Sequence, residues 1–250
     1  MMRFMDQIAI VTGGAGGLGK SIAQRLAEEG STVIIFDLKE SPVKSVVSEL
    51  RGKNLQVDSN LVDITEESSV VEGFKKVADK YGQLDILVNC AGIIGPNGMK
   101  IAEVETAAFD DTLAVNLRGS FLMTKYALIE MEKRNYGRIL LVASISGKEG
   151  NAGMSAYSTS KAGVIGLVKA VGKEYAETGI TVNGLAPAVI WTTLIENMEP
   201  EQAKYMTDRI PMKRCGTLEE VASMVAFIVS KEASFNTGSI FDLSGGRSTY

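Results

Sequence analysis

Tyr157 and Lys161 stand four residues apart in Tyr157-Ser158-Thr159-Ser160-Lys161. On a helix that spacing places both side chains on one face. A phenol titrates near pH ~10 and is a poor base at neutrality. A neighbouring ammonium favours the phenolate and is expected to lower that pKa. Such a tyrosine takes a proton from an alcohol, or returns one to a developing alkoxide. Of seven tyrosines, Tyr157 alone has a lysine at i+4. Ser144, just before this helix, could polarise the same oxygen. The chain contains no histidine, which removes Ser-His-Asp and Cys-His nucleophile pairs and histidine metal sites. No metal is expected.

Hydride chemistry on an alcohol needs a partner for Tyr157, and the N-terminal region offers one. Thr12-Gly13-Gly14-Ala15-Gly16-Gly17-Leu18-Gly19 follows the apolar run Ile8–Val11 and precedes a helical pattern ending at Gly30. Strand, glycine turn and helix form a pyrophosphate cradle, because glycines let backbone N–H groups approach closely. A second strand, Thr32–Phe36, ends in Asp37, about twenty residues on, placed for the adenosine ribose hydroxyls. That carboxylate repels a 2′-phosphate, and no arginine stands beside it. NAD is therefore expected rather than NADP.

Positioning these groups takes repeated strand–helix units. Strands are expected at Leu55–Val62, Leu84–Val88, Ile139–Ala143, Thr181–Leu185 and Ile240–Leu243. Helical patterns cover Val43–Leu50, Ser68–Tyr81, Phe109–Arg134, Ser155–Glu177 and Leu218–Ser230. The fold class is α/β, a Rossmann sheet with helices on both faces. Residues 1–250 read as one domain, with a substrate loop over about 188–215. Asp37, Asp63, Asn89 and Ser144 all fall at carboxyl ends of strands, where such sheets bind ligands.

The net charge of −4 argues against nucleic-acid partners. No apolar run reaches membrane-spanning length. Two cysteines, Cys90 and Cys215, make no disulfide framework, and a cytoplasmic setting is expected.

Thr12-Gly13-x-x-x-Gly17-x-Gly19, Asn89-x-Ala91-Gly92, Ser144 and Tyr157-x-x-x-Lys161, in that order, resemble the short-chain dehydrogenase/reductase superfamily. The resemblance implies a seven-stranded parallel sheet and a homotetramer. It implies Tyr157 as catalytic acid/base, Lys161 holding the nicotinamide ribose, Ser144 orienting substrate and Asn116 holding a relay water. Gly13, Gly16, Gly17, Leu18, Gly19 and Asp37 would bind the cofactor, Asp63 and Ile64 would border adenine, and Asn89, Ala91 and Gly92 would line it. Ile190 and Thr192, after Pro187, match the carboxamide-binding stretch. Cys90 and Ala188 depart from the family's usual Asn and Gly, and Ala188 leaves the path of the following loop open.

Ser146, Lys148, Glu149, Asn151, Trp191 and Thr193 are candidate substrate walls beside Ser144 and Tyr157. Their polarity suggests a hydroxylated substrate. Arg247 could clamp a carboxylate in a neighbouring subunit's site. The finer resemblance is to NAD-linked dehydrogenases of 2-keto-3-deoxy sugar acids and polyols. A 3-oxoacyl-carrier-protein reductase and a non-catalytic NAD-sensing regulator stand as alternatives.

Overall fold

The computed structural model describes residues 2–192 and 207–250. One parallel sheet of seven strands runs through it in the order β3-β2-β1-β4-β5-β6-β7. The strands are β1 (Ile8–Thr12), β2 (Thr32–Asp37), β3 (Val57–Leu61), β4 (Ile86–Asn89), β5 (Gly137–Val142), β6 (Ile180–Pro187) and β7 (Ile240–Leu243). β1, β4 and β5 are short runs of Ile, Val and Leu, buried almost throughout. That is the composition a strand needs when helices cover both its faces.

Two apolar clusters flank the sheet. One joins β1 and β2 residues Val11 and Ile35 to α1 (Gly17–Glu28), α2 (Glu40–Gly52) and α8 (Leu218–Ile228). The other joins Ile10 and Ile34 to α3 (Glu67–Tyr81), α5 (Gly119–Glu132) and α7 (Ser155–Glu174). Alternate residues of β1 and β2 serve opposite clusters, as the strand period of two requires.

Strand order reverses between β1 and its neighbours β2 and β4, which opens a crevice at their carboxyl ends. The expected strands and helices are present, with shifted ends. β6 runs through Pro187, which pairs with Leu243 as its last residue, where a missing N–H is tolerated. The long stretch expected over Phe109–Arg134 divides into α4 (Thr106–Leu113), a π turn at Ala114–Arg118 and α5, and the short α6 (Ser146–Glu149) follows β5. Thr193 and the rest of 193–206, within the expected substrate loop, lie outside the described residues.

Candidate active site

The glycine turn leaves the β1–α1 junction bare. Gly13 has φ +62°, and a Cβ there would lie 3.1 Å from the Ala91 backbone. A Cβ on Gly19 would fall 2.2 Å from the Gly13 carbonyl oxygen. Gly16 and Gly17 face open space. No side chain caps the first turn of α1, so its orphan N–H groups are free for an anion. Asp37 is tied to the same turn: its Oδ2 accepts from Ala15 N at 3.1 Å, and its Oδ1 from Leu38 N at 2.8 Å. Bare N–H donors at one end and a fixed carboxylate beyond them fit a dinucleotide with an unphosphorylated ribose.

A cleft of about 430 Å³ continues from this turn to Tyr157. Gly13, Gly16, Leu18, Gly19, Ala91 and Gly92 line one end. Ser144, Tyr157, Lys161, Pro187, Ile190 and Thr192 line the other. Ala188 keeps φ negative and donates its N–H to Leu243 O at 2.9 Å, so alanine is accommodated without strain. Asp63 caps its own turn, with Oδ1 accepting from Thr65 N and Oγ1 at 2.9 and 2.7 Å. Ile64 is buried against Gly119. Neither lines the cleft.

α7 carries Tyr157 and Lys161 on one face, with Lys161 Nζ 5.7 Å from the centre of the Tyr157 ring. That ammonium donates to Val142 O at 2.7 Å, and burial pushes its pKa down to about 8. Burial also holds the Tyr157 phenol above its ordinary value, while a hydrogen bond with Ser144 acts the other way. The expected lowering by Lys161 is therefore not realised in the chain alone. Desolvation of the phenolate outweighs an ammonium that lies over the ring face and is engaged by a carbonyl. Cys90, in the same pocket, is a thiol pushed up to about 12 by burial, and so inert at neutrality.

Asn116 sits inside the π turn, a form common at functional sites. Its Oδ1 accepts from Ile93 N, and its Nδ2 donates to Ile93 O and to Ser160 Oγ. Ser160 Oγ donates to Tyr157 O. Asn89 Nδ2 donates to Ser120 Oγ, which donates to Asn116 O at 2.6 Å. Asn89 Oδ1 accepts from Thr12 Oγ1, and that oxygen accepts the N–H groups of Cys90 and Ala91. One buried ladder thus joins the glycine turn to the tyrosine helix. Ser120, Ser160 and the Thr12 hydroxyl escape a reading of the sequence. For Ser120 the signal is its i+4 spacing from Asn116.

The family described as enoyl-(acyl carrier protein) reductase matches residues 13–248. The chain belongs to the short-chain dehydrogenase/reductase family. It is 40% identical to a 2-dehydro-3-deoxy-L-rhamnonate dehydrogenase (NAD(+)) of Sphingomonas sp. strain SKA58, covering 99% of this chain and 98% of that one. It is 36% identical to a 3-oxoacyl-acyl-carrier-protein reductase of Thermotoga maritima, covering 98% and 99%. The crystal structure of an NAD+-bound xylitol dehydrogenase superposes with TM-score 0.93 at 29% identity, covering 98% of this chain and all of the other.

The proposed substrate groups divide within this family frame. Ser144 and Tyr157 face the cleft, whereas Ser146, Asn151 and Arg247 do not line it. Arg247 holds the chain's own Glu149 and Asn151. Lys148 pairs with Asp242. The polar wall expected from these residues is committed to intramolecular bonds.

Proposed function

We propose that the chain is an NAD-dependent dehydrogenase acting on a secondary alcohol of a sugar-derived acid or polyol. The observation that carries this reading is one continuous cleft with Ser144, Tyr157 and Lys161 at one end and the glycine turn tied to Asp37 at the other. Ser144 donates a hydrogen bond to the substrate oxygen, and Tyr157 takes its proton. Lys161 holds the nicotinamide ribose and keeps a positive charge beside the phenol. Nicotinamide, when bound, supplies the hydride acceptor, and its positive oxidised ring offsets the burial that disfavours phenolate. Asn116 fixes the Ile93 backbone, and its Oδ1, which accepts one N–H there, keeps a second lone pair for a relay water. Ile190 and Thr192 complete the cofactor's surroundings within the cleft, and Asp63 and Ile64, outside it, would border adenine as the family resemblance implies.

The Sphingomonas relative supports a 2-keto-3-deoxy sugar acid as substrate. Ile93 and Ile94, about two-fifths exposed on the cleft, favour an acyl substrate as the second reading. The Asp37 carboxylate and the net charge of −4 weigh against an NADP-linked enzyme docking an acidic carrier. NADH production across a panel of sugar acids, polyols and 3-hydroxyacyl thioesters separates these readings, and absence of turnover on all would leave the non-catalytic regulator. Asp37→Ala is expected to narrow the NAD-over-NADP preference in kcat/KM by about tenfold or more, from loss of charge-assisted bonds and of repulsion. An unchanged ratio would remove Asp37 from ribose recognition.

The homotetramer implied by the family resemblance would use an apolar face of the helices. Leu113, Leu117, Phe121, Gly163, Gly166 and Leu167 line a groove of about 700 Å³ on α4, the π turn, α5 and α7, and Phe121 is 49% exposed. A patch of this kind on helices marks an association surface. Phe121→Asp is expected to give a smaller species in sedimentation; an unaltered assembly would place the interface elsewhere. Unpaired Cys90 and Cys215 suit a reducing cytoplasm. Among the described residues, no helix is long and apolar enough to cross a membrane.

A further inference from the structure

The end of the chain, residues 244–250, lies against the segment that follows Ser144. Lys148 Nζ bonds both oxygens of Asp242, at 3.0 and 2.8 Å, and the Tyr250 hydroxyl donates to Lys148 O at 2.9 Å. Arg247 donates from Nε and Nη2 to Glu149 Oε2, at 3.2 and 3.1 Å, and from Nη2 to Asn151 Oδ1 at 3.2 Å. Asn151 Nδ2 donates to Ser146 Oγ at 2.6 Å. The Ser146 backbone N–H donates to Ser144 Oγ at 3.1 Å. An unbroken run of bonds therefore leads from the C-terminal tail to the serine facing Tyr157.

We propose that Arg247 is a positioning residue that, through Asn151 and Ser146, fixes the direction in which Ser144 presents its hydroxyl proton. A guanidinium has donors only. Beside Asn151 it must face the amide oxygen, which leaves the amide nitrogen for Ser146. The side chain of Ser146 is thereby held, and with it the short turn whose N–H occupies a lone pair of Ser144 Oγ. A serine hydroxyl has one proton and two acceptor sites. With one acceptor site taken from behind, the proton is directed into the cleft, toward Tyr157 and the substrate oxygen. Glu149 keeps the guanidinium in place by charge, and the Arg247 side chain is only 11% exposed. This is a different job from clamping a substrate carboxylate, because the guanidinium bonds are spent within the chain.

The inference rests on the dehydrogenase reading, and its test separates the two. The whole chain is compared with Arg247→Ala, Arg247→Lys and Asn151→Ala. Tyr157 is titrated by NMR on protein carrying ring-labelled tyrosine, without cofactor, its signal assigned with Tyr157→Phe. Arg247→Ala and Asn151→Ala are each expected to raise the Tyr157 pKa, since a loosened Ser144 stabilises the phenolate less. Both are expected to lower kcat about five- to tenfold on neutral and acidic alcohols alike, with KM for the neutral one little changed. Arg247→Lys restores most of both effects. An unmoved Tyr157 titration in folded Asn151→Ala overturns the proposal, even if Arg247→Ala does not fold. A rise in KM confined to acidic substrates overturns it in favour of the clamp. If the wild-type chain turns over nothing, the functional reading falls, yet the titration still decides the positioning role.

Discussion

Tyr157→Phe is expected to lower turnover about 10³-fold, the size of effect that a positioned general base supplies. NAD affinity should stay within about twofold, because the ring and its packing remain and only the hydroxyl is lost. The helix should not move. α7 is anchored by Val164 and Val168 in the core and by the Ser160–Asn116 bond, none of which uses the phenol oxygen. The check is single-turnover reduction of NAD beside a direct binding measurement. Turnover within a few fold of wild type would end the acid/base assignment. A loss of NAD binding equal to the loss of rate would show that the hydroxyl holds cofactor instead.

Lys161→Met should separate activity from stability. Lys161 is 4% exposed, and its pKa falls from 10.5 to about 8 on burial. The folded chain thus holds this proton less tightly than the unfolded chain does. At pH values below about 8 folding carries the full cost of burying the charge, on the order of 3 kcal/mol. That cost fades as pH rises toward 10.5, where the unfolded lysine also loses its proton. Methionine removes the charge at similar volume. It also leaves Val142 O without its donor, which takes back about 1 kcal/mol. The variant should therefore melt higher than wild type near neutrality, and the gap should close in alkali. Turnover should fall about 10²-fold or more with the ammonium gone. Thermal melts at several pH values decide it: a variant less stable than wild type at pH 7 would mean that the lysine stabilises the fold.

What was legible in the sequence was local. Glycine spacing, an apolar run and an acid at the next strand's end located the cradle. Strand and helix periods placed Ser144, Tyr157 and Lys161 at one end of the sheet. Direct partnerships between distant residues were not legible. Glu149 and Arg247 lie 98 positions apart, and nothing at either position announces the other. The polarity of Glu149 reads as a substrate wall and that of Arg247 as a carboxylate clamp, yet the two spend it on an ion pair with each other. The π turn was hidden for another reason. Ala114–Arg118 carries ordinary helix formers, and the extra residue in the turn shows only when Asn116 must reach both ends of Ile93. The direction of the Tyr157 pKa is not legible either, because spacing reports an ammonium's proximity and says nothing of desolvation.

The tail's grip on 148–151 joins residues about a hundred positions apart in the chain. A contact of that separation closes a long loop and is entropically costly to form early in folding. The more local β1–α1–β2 unit is therefore expected to take shape first, and the turn behind Ser144 to gain its outer support late.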